Sequence, residues 1–338
     1  MSAATGMQRV DLIGRPDLLR GVCEAVEIDG ATVFYRHTSD VRERYSIPLP
    51  RKRRSHSTAG VRVAFRSDTT RLRLALRCGD GVEWVPLGKC DLFVDGRIEA
   101  YFGPDRVDIG TRWEALVWTA PEPRMRDFVL WLPAMRQMQI ESISVDAEAR
   151  VEAIPLRPKK WLVLGDSITQ GYVTAHPSEG YAARAAEALG MEHHNTAVGG
   201  GLADPALAGL ARGIEADLIT VAFGVNDYNN SLAMDVFARN VAELLTGLRA
   251  ARPQARIVWI APIPYVTRTH RRNNVGRLLS DYTRAILDQA AQVERIEVVD
   301  GYAFLPDESA WFVDNCHPNE PGHEMYARSL VRALGGAT

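Results

Sequence analysis

What this chain has little of already narrows what it is. It has four cysteines, Cys23, Cys78, Cys90 and Cys316, scattered over 338 residues with no paired spacing. A disulfide-stapled scaffold is denser in cysteine, and a cysteine-built metal site needs ligands in pairs, so free thiols are expected. No run approaches the ~18 apolar residues of a membrane-spanning helix. The first ten residues, Met1 to Val10, hold no charged segment leading into a long apolar stretch. The expectation is a cytoplasmic protein with no membrane partner. An excess of one charge is also missing. A net charge of −2 gives no overall attraction for nucleic acid, which is not expected as a partner.

The residues that are present divide by rhythm. In residues 1–150 apolar side chains alternate with polar ones, as in Val61, Val63 and Phe65 and again in Leu72, Leu74 and Leu76, which is the period of half-buried strands. Asp95-Gly96 joins two such runs as a tight hairpin, and further strands are expected at Trp113–Thr119, Asp127–Leu132 and Met138–Val145. Many short strands with little helical period predict a β-sandwich of jelly-roll type. Residues 151–158 carry two prolines and are read as a linker, and residues 159–338 as a second domain. There strands at Trp161–Leu164, Glu192–Ala197, Leu218–Phe223, Arg256–Ala261 and Ile296–Val299 alternate with helices near 180–190, 203–214, 234–251, 275–293 and 319–335. That order predicts a parallel sheet covered on both faces, with ligands meeting the carboxyl ends of its strands.

Four short blocks carry the chemistry. Gly165-Asp166-Ser167 ends the first apolar run of the second domain, and Asp314-x-x-His317 lies near the far end. A serine hydroxyl attacks carbonyls poorly unless an imidazole takes its proton while a carboxylate holds that imidazole in the right tautomer. The three-residue spacing can return Asp314 to Nδ1–H of His317, and both are expected in the first turn of the last helix, leading into Pro318. Asn195-Thr196-Ala197-Val198-Gly199-Gly200-Gly201 offers backbone N–H groups that no side chain shields. Gly224-Val225-Asn226-Asp227 places an amide donor at a strand end. Both suit the negative oxygen of a tetrahedral intermediate.

In that order the blocks resemble the SGNH (GDSL) hydrolase superfamily over roughly residues 158–335. The resemblance implies a flavodoxin-like three-layer α/β domain, Ser167 as nucleophile, Asp314 and His317 as its relay, and Ser167, Gly200 and Asn226 as oxyanion donors. Ser167 is not set in Gly-x-Ser-x-Gly, so the nucleophile elbow of α/β-hydrolases is not indicated. Asp166, adjacent to the serine, is expected to brace its loop.

Other residues bear two readings. Tyr172, Tyr228, Trp311 and Phe312 flank the blocks and fit either an acyl pocket or core packing. Arg268, Arg271 and Arg272 fit either a clamp on the phosphates of an acyl-coenzyme A or a solvated loop. The run Arg51-Lys52-Arg53-Arg54 is read as solvated, Cys316 as structural, and His193-His194 as strand neighbours facing opposite ways rather than metal ligands.

The function expected is serine-dependent cleavage of an ester or thioester of a small polar or carbohydrate-like substrate, through an acyl-enzyme, with no metal or organic cofactor. The partners are then a small-molecule acyl donor and a hydroxyl acceptor. An acyltransferase moving an acyl group from acyl-coenzyme A to a natural product uses the same residues and stays open. So does a carbohydrate-binding protein whose GDSL domain is inactive.

Overall fold

A computed structural model describes residues 6–47, 49–81, 88–103 and 108–336. They form two compact units whose segments interleave along the chain. The first comprises the described residues through Arg36, His56–Leu156 and Ala175–Ser178; the second comprises His37–Ser55, Arg157–Thr174 and the residues from Glu179 on.

The first unit has two antiparallel sheets of six strands. One runs in the order Glu24–Ile28, Ala31–Tyr35, Arg136–Asp146, Arg71–Gly81, Arg112–Thr119, with Met7–Arg9 paired to its third strand. The other runs Val151–Ala153, Arg62–Ser67, Arg126–Trp131, Cys90–Val94, Arg97–Phe102, with Leu19–Arg20 paired to its second. Period-two patterning explains the packing. Val63, Phe65 and Leu130 from one sheet and Leu72, Leu74, Leu76 and Ile143 from the other meet in one buried core. Truncating a ring such as Phe65 there would cost about 3–5 kcal/mol. The expected hairpin turns at Asp95 and Gly96 with φ of 50° and 77°, the two positive values a two-residue turn of this kind requires.

Two boundaries differ from the sequence reading. Val151–Ala153, placed in the linker, forms an edge strand against Arg62–Ser67, because Val151 and Ala153 pack onto the core. Within residues 1–150, expected to be all β, Ser39–Arg44 and Leu49–Ser55 are helices of the second unit. Val41 and Tyr45, four apart and so on one helical face, are buried with Leu207, Ala208 and Ala211. His37 Nε2 bonds the Thr196 carbonyl at 2.9 Å, and Arg44 pairs with Asp204 at 2.7 Å.

The second unit is a five-stranded parallel sheet of Lys160–Gly165, Glu192–Asn195, Leu218–Ala222, Arg256–Ile260 and Ile296–Val299. Counted along the chain, the strands lie in the order 2-1-3-4-5, the flavodoxin-like arrangement. Consecutive residues of the first strand enter different cores. Leu162 and Leu164 pack with the helices Ala208–Gly213, Met234–Ala251 and Leu279–Ala290, whereas Trp161 and Val163 pack with Tyr181–Leu189 and Glu320–Ala333. Burial on both faces is why these strands read as continuous apolar runs. No helix among the described residues is long and apolar enough to cross a membrane.

Candidate active site

The site is assembled at the carboxyl ends of the first three strands of the parallel sheet. The strand Lys160–Gly165 gives way at once to a four-residue helix, Ser167–Gln170. Gly165 makes that turn possible, since a Cβ there would stand 2.2 Å from Thr169 Oγ1. Asp166 caps the helix, its Oδ1 accepting Ile168 N–H at 3.0 Å, and Ser167 becomes the first helical residue. Asp166 Oδ2 accepts from Asn226 Nδ2 at 3.1 Å, so the expected bracing role extends to a second block.

Ser167 Oγ lies 2.8 Å from His317 Nε2, and His317 Nδ1 lies 2.8 Å from Asp314 Oδ2. The segment carrying the dyad is not the first turn of the last helix. That helix begins at Glu320 behind an Asn319 cap, and residues 312–318 form a tight loop closed by a bridge between Phe312 and Pro318. Within it Asp314 Oδ1 accepts the amides of Cys316 and His317 at 3.1 and 2.8 Å. The same two bonds would also cap a helix, and what closes the segment as a loop is Val313 N–H donating to the His317 carbonyl at 2.9 Å. Asn315 supplies the left-handed residue at φ 65°. Partial burial pushes the Asp314 carboxyl up, but the amides of His317 and Cys316 and the imidazole together hold it below the ordinary carboxylate value. An ionised Asp314 keeps the proton on Nδ1 and leaves Nε2 to receive one from Ser167.

The glycine block returns to the same place. Asn195 shapes its turn, accepting Ala197 N–H at 3.0 Å and donating to the Thr169 carbonyl at 2.8 Å. Gly199 N–H donates to Gln170 Oε1 at 2.7 Å and Gly201 N–H to the Val198 carbonyl at 2.8 Å. Between them Gly200 has φ 76°, which only glycine adopts without strain. Among the described residues its N–H donates to no protein group. Asn226 commits one amide hydrogen to Asp166, which orients the carboxamide and leaves the other for a ligand. Tyr172 lies against the imidazole of His317, with ring centroids 4.3 Å apart at 51°.

Two buried carboxyls stand behind the donors. Burial, and secondarily the like charge of Asp227, raise Asp166 to about 7. Burial likewise raises Asp227 to about 7, although Ala203 N–H donates to it at 3.2 Å. Cys316 is buried and its thiol is pushed far up by desolvation, so it is no nucleophile despite its position beside His317.

The other sequence candidates separate. Tyr228 is only 1% exposed, forms an edge-to-face pair with Tyr282, and donates its hydroxyl to the Arg271 carbonyl at 2.7 Å. Of its two readings the packing one holds. Trp311 is partly buried against the second core, and Phe312 is buried in it. Arg268 lies over Tyr265 at 5.5 Å and bonds Asn229 Oδ1 at 3.3 Å. Arg272 donates to the Gly276 carbonyl of its own loop at 2.6 Å, and Arg271 is exposed. His193 is buried and His194 half-buried, as strand neighbours are, and no cluster of metal-ligating residues occurs among the described residues. The reading of Arg51–Arg54 as solvated fails at Arg54. This half-buried side chain donates from Nη1 to the Gly199 carbonyl at 2.8 Å. Sequence reasoning missed Arg54 and Gln170, and only the helical spacing of Val41 and Tyr45 hinted that residues 37–55 dock on this unit.

A doubly wound parallel sheet with these donors at its carboxyl edge is the framework of an ester hydrolase or O-acyltransferase, and the chain is an enzyme of that class. Residues 163–325 match the GDSL-like lipase/acylhydrolase family, and this domain is of the SGNH/GDSL hydrolase type. No curated protein matches it. Among solved structures it is similar to the salicylyl-acyltransferase SsfX3 from a tetracycline biosynthetic pathway, at 22% identity and a TM-score of 0.86 over 98% of this chain and 99% of that one. It is also similar to a GDSL-like lipase from Bacteroides ovatus, at 18% identity and 0.77 over 97% of each chain. A family two carbohydrate esterase from Cellvibrio japonicus aligns at 15% identity and 0.68, again over 97% of each. These likenesses describe the fold.

Proposed function

We propose that this protein transfers acyl groups through a covalent enzyme ester on Ser167. The observation that carries the reading is the relay Ser167 Oγ, His317 Nε2, His317 Nδ1, Asp314 Oδ2, joined by two contacts of 2.8 Å. Ser167 Oγ adds to the carbonyl carbon of an ester or thioester while its proton passes to His317 Nε2. The carbonyl oxygen becomes an oxyanion held by the N–H groups of Gly200 and Ser167 and by the free amide hydrogen of Asn226. Collapse expels the alcohol or thiol, which takes the proton from His317. A second hydroxyl then enters, gives its proton to Nε2, and carries the acyl group away as Ser167 recovers its own. These steps call on no metal or organic cofactor.

Water or an organic hydroxyl can serve as the second nucleophile, and the site's exclusion of water decides which. Our first reading is hydrolysis of an ester of a small polar or carbohydrate-like molecule, in line with the likeness to a carbohydrate esterase. The full-length likeness to a salicylyl-acyltransferase favours a second reading, transfer to the hydroxyl of a natural product, with acyl-coenzyme A among the donors. A role limited to carbohydrate binding is disfavoured by a relay that is complete.

The strand order supports a jelly roll in the first unit. Eight successive strands from Ala31–Tyr35 to Arg136–Asp146 divide four to each sheet. The reaction is tested by following p-nitrophenol release from short acyl and aromatic p-nitrophenyl esters, with wild type and Ser167→Ala, with and without a polyhydroxylated acceptor. Fast Ser167-dependent release without acceptor marks the esterase. Slow release that accelerates as acylated acceptor accumulates marks the transferase. Equal rates in wild type and Ser167→Ala would refute both.

A further inference from the structure

Arg54 sits on the helix Leu49–Ser55, in the same compact unit as the relay. Its Nη1 donates to the Gly199 carbonyl at 2.8 Å. A Cβ placed on Gly199 would stand 3.1 Å from Arg54 Cδ and 3.5 Å from Ser167 Cβ, so the arginine stem lies beside the nucleophile. A Cβ on Gly200 would come within 2.7 Å of Arg54 Nη1. The Gly199 carbonyl and the Gly200 N–H are the two polar ends of one peptide group. Whatever grips the carbonyl therefore sets where the N–H points.

We propose that Arg54 is a positioning residue for the oxyanion hole, gripping the Gly199 carbonyl so that the Gly200 N–H is aimed and polarised toward the developing negative charge. The inference rests on the acyl-enzyme reading above. Gln170 completes the clamp. Its Oε1 accepts Gly199 N–H at 2.7 Å and its Nε2 donates to the Arg54 carbonyl at 3.1 Å, which ties arginine, glycine and glutamine into a closed circuit. Peptide planarity transmits the effect, since a carbonyl held by a cation shifts electron density away from its own N–H. The half-buried guanidinium acts where its charge is poorly screened. A neutral tie would fix the loop but supply less of this polarisation.

The test compares wild type, Arg54→Ala, Arg54→Lys and Ser167→Ala on a p-nitrophenyl ester, together with inhibition by a boronic acid that forms a tetrahedral adduct with serine. Removing one oxyanion donor costs roughly 100- to 1,000-fold in kcat. Misaiming that donor in Arg54→Ala should cost about 10- to 100-fold by the same measure, with KM nearly unchanged. Boronate affinity should fall by the same factor as kcat, added guanidinium should restore part of the rate, and Arg54→Lys should lie between. A purely structural tie would lower the melting temperature without that correspondence. Should Arg54→Ala fail to fold, the same split between kcat and KM is read from Arg54→Lys. Ser167-dependent turnover that ignores Arg54, or that changes in KM alone with boronate affinity intact, would overturn this inference and leave the acyl-enzyme standing. Loss of the Ser167 dependence itself would overturn both.

Discussion

Replacing Asp227 by asparagine should change how stability depends on pH while leaving the shape of the site intact. The Asp227 side chain is fully buried, Oδ1 accepts Ala203 N–H at 3.2 Å, and Oδ2 bonds nothing among the described residues. Burial lifts its carboxyl from an ordinary 3.8 to about 7. Between those two values the folded protein holds a proton that the unfolded chain has released, so stability falls as pH rises. The loss accumulates at about 1.4 kcal/mol per pH unit and reaches a ceiling of about 4 kcal/mol above the folded value. Asparagine keeps the acceptor for Ala203 and cannot ionise. The variant should therefore match wild type near pH 4 and gain on it by about 2–3 kcal/mol between pH 5 and pH 8. Urea unfolding followed by circular dichroism at unit steps of pH measures that difference directly. A gap between the two proteins that is constant from pH 5 to pH 8 would refute the assignment of a raised carboxyl to Asp227.

Other outcomes follow from the same geometry. Ser167→Ala and His317→Ala should each lose several orders of magnitude in kcat, measured by ester hydrolysis, with little change in melting temperature. Asn226→Ala should lose about 100- to 1,000-fold in kcat while acyl-enzyme still accumulates, as seen by mass spectrometry of the quenched enzyme. Gly200→Ala should be slower by a similar factor, because a side chain at φ 76° is strained and would strike Arg54 Nη1. Alkylation by iodoacetamide at pH 8 should label exposed Cys23 first and spare Cys78, Cys90 and Cys316 until the protein unfolds.

Local pattern in the sequence was enough for the layers of the fold and for the candidate blocks that meet at one site. Ser167, His317 and Asp314, which the structure joins, were legible because a serine relay needs those residue types, and Gly200 and Asn226 as candidate donors because their blocks follow in the order of the family the sequence resembles. Both halves of the fold were legible because period two and alternating strands and helices are local consequences of burial. What local pattern could not supply is which polar groups leave water. Arg54 lies in a run of cations that looks solvated, and it is half-buried because its side chain meets the glycine block, bonding the Gly199 carbonyl 145 residues away in the chain. Tyr228 flanks the asparagine block yet packs edge to face on Tyr282. The turn around Asp314 is a loop because Asn315 takes the left-handed conformation and Val313 N–H closes on the His317 carbonyl, neither of which continues a helix. Residue type and spacing declare what a group can do, whereas the tertiary structure decides which charges are screened, which rings are covered, and which cation grips the peptide beside the serine.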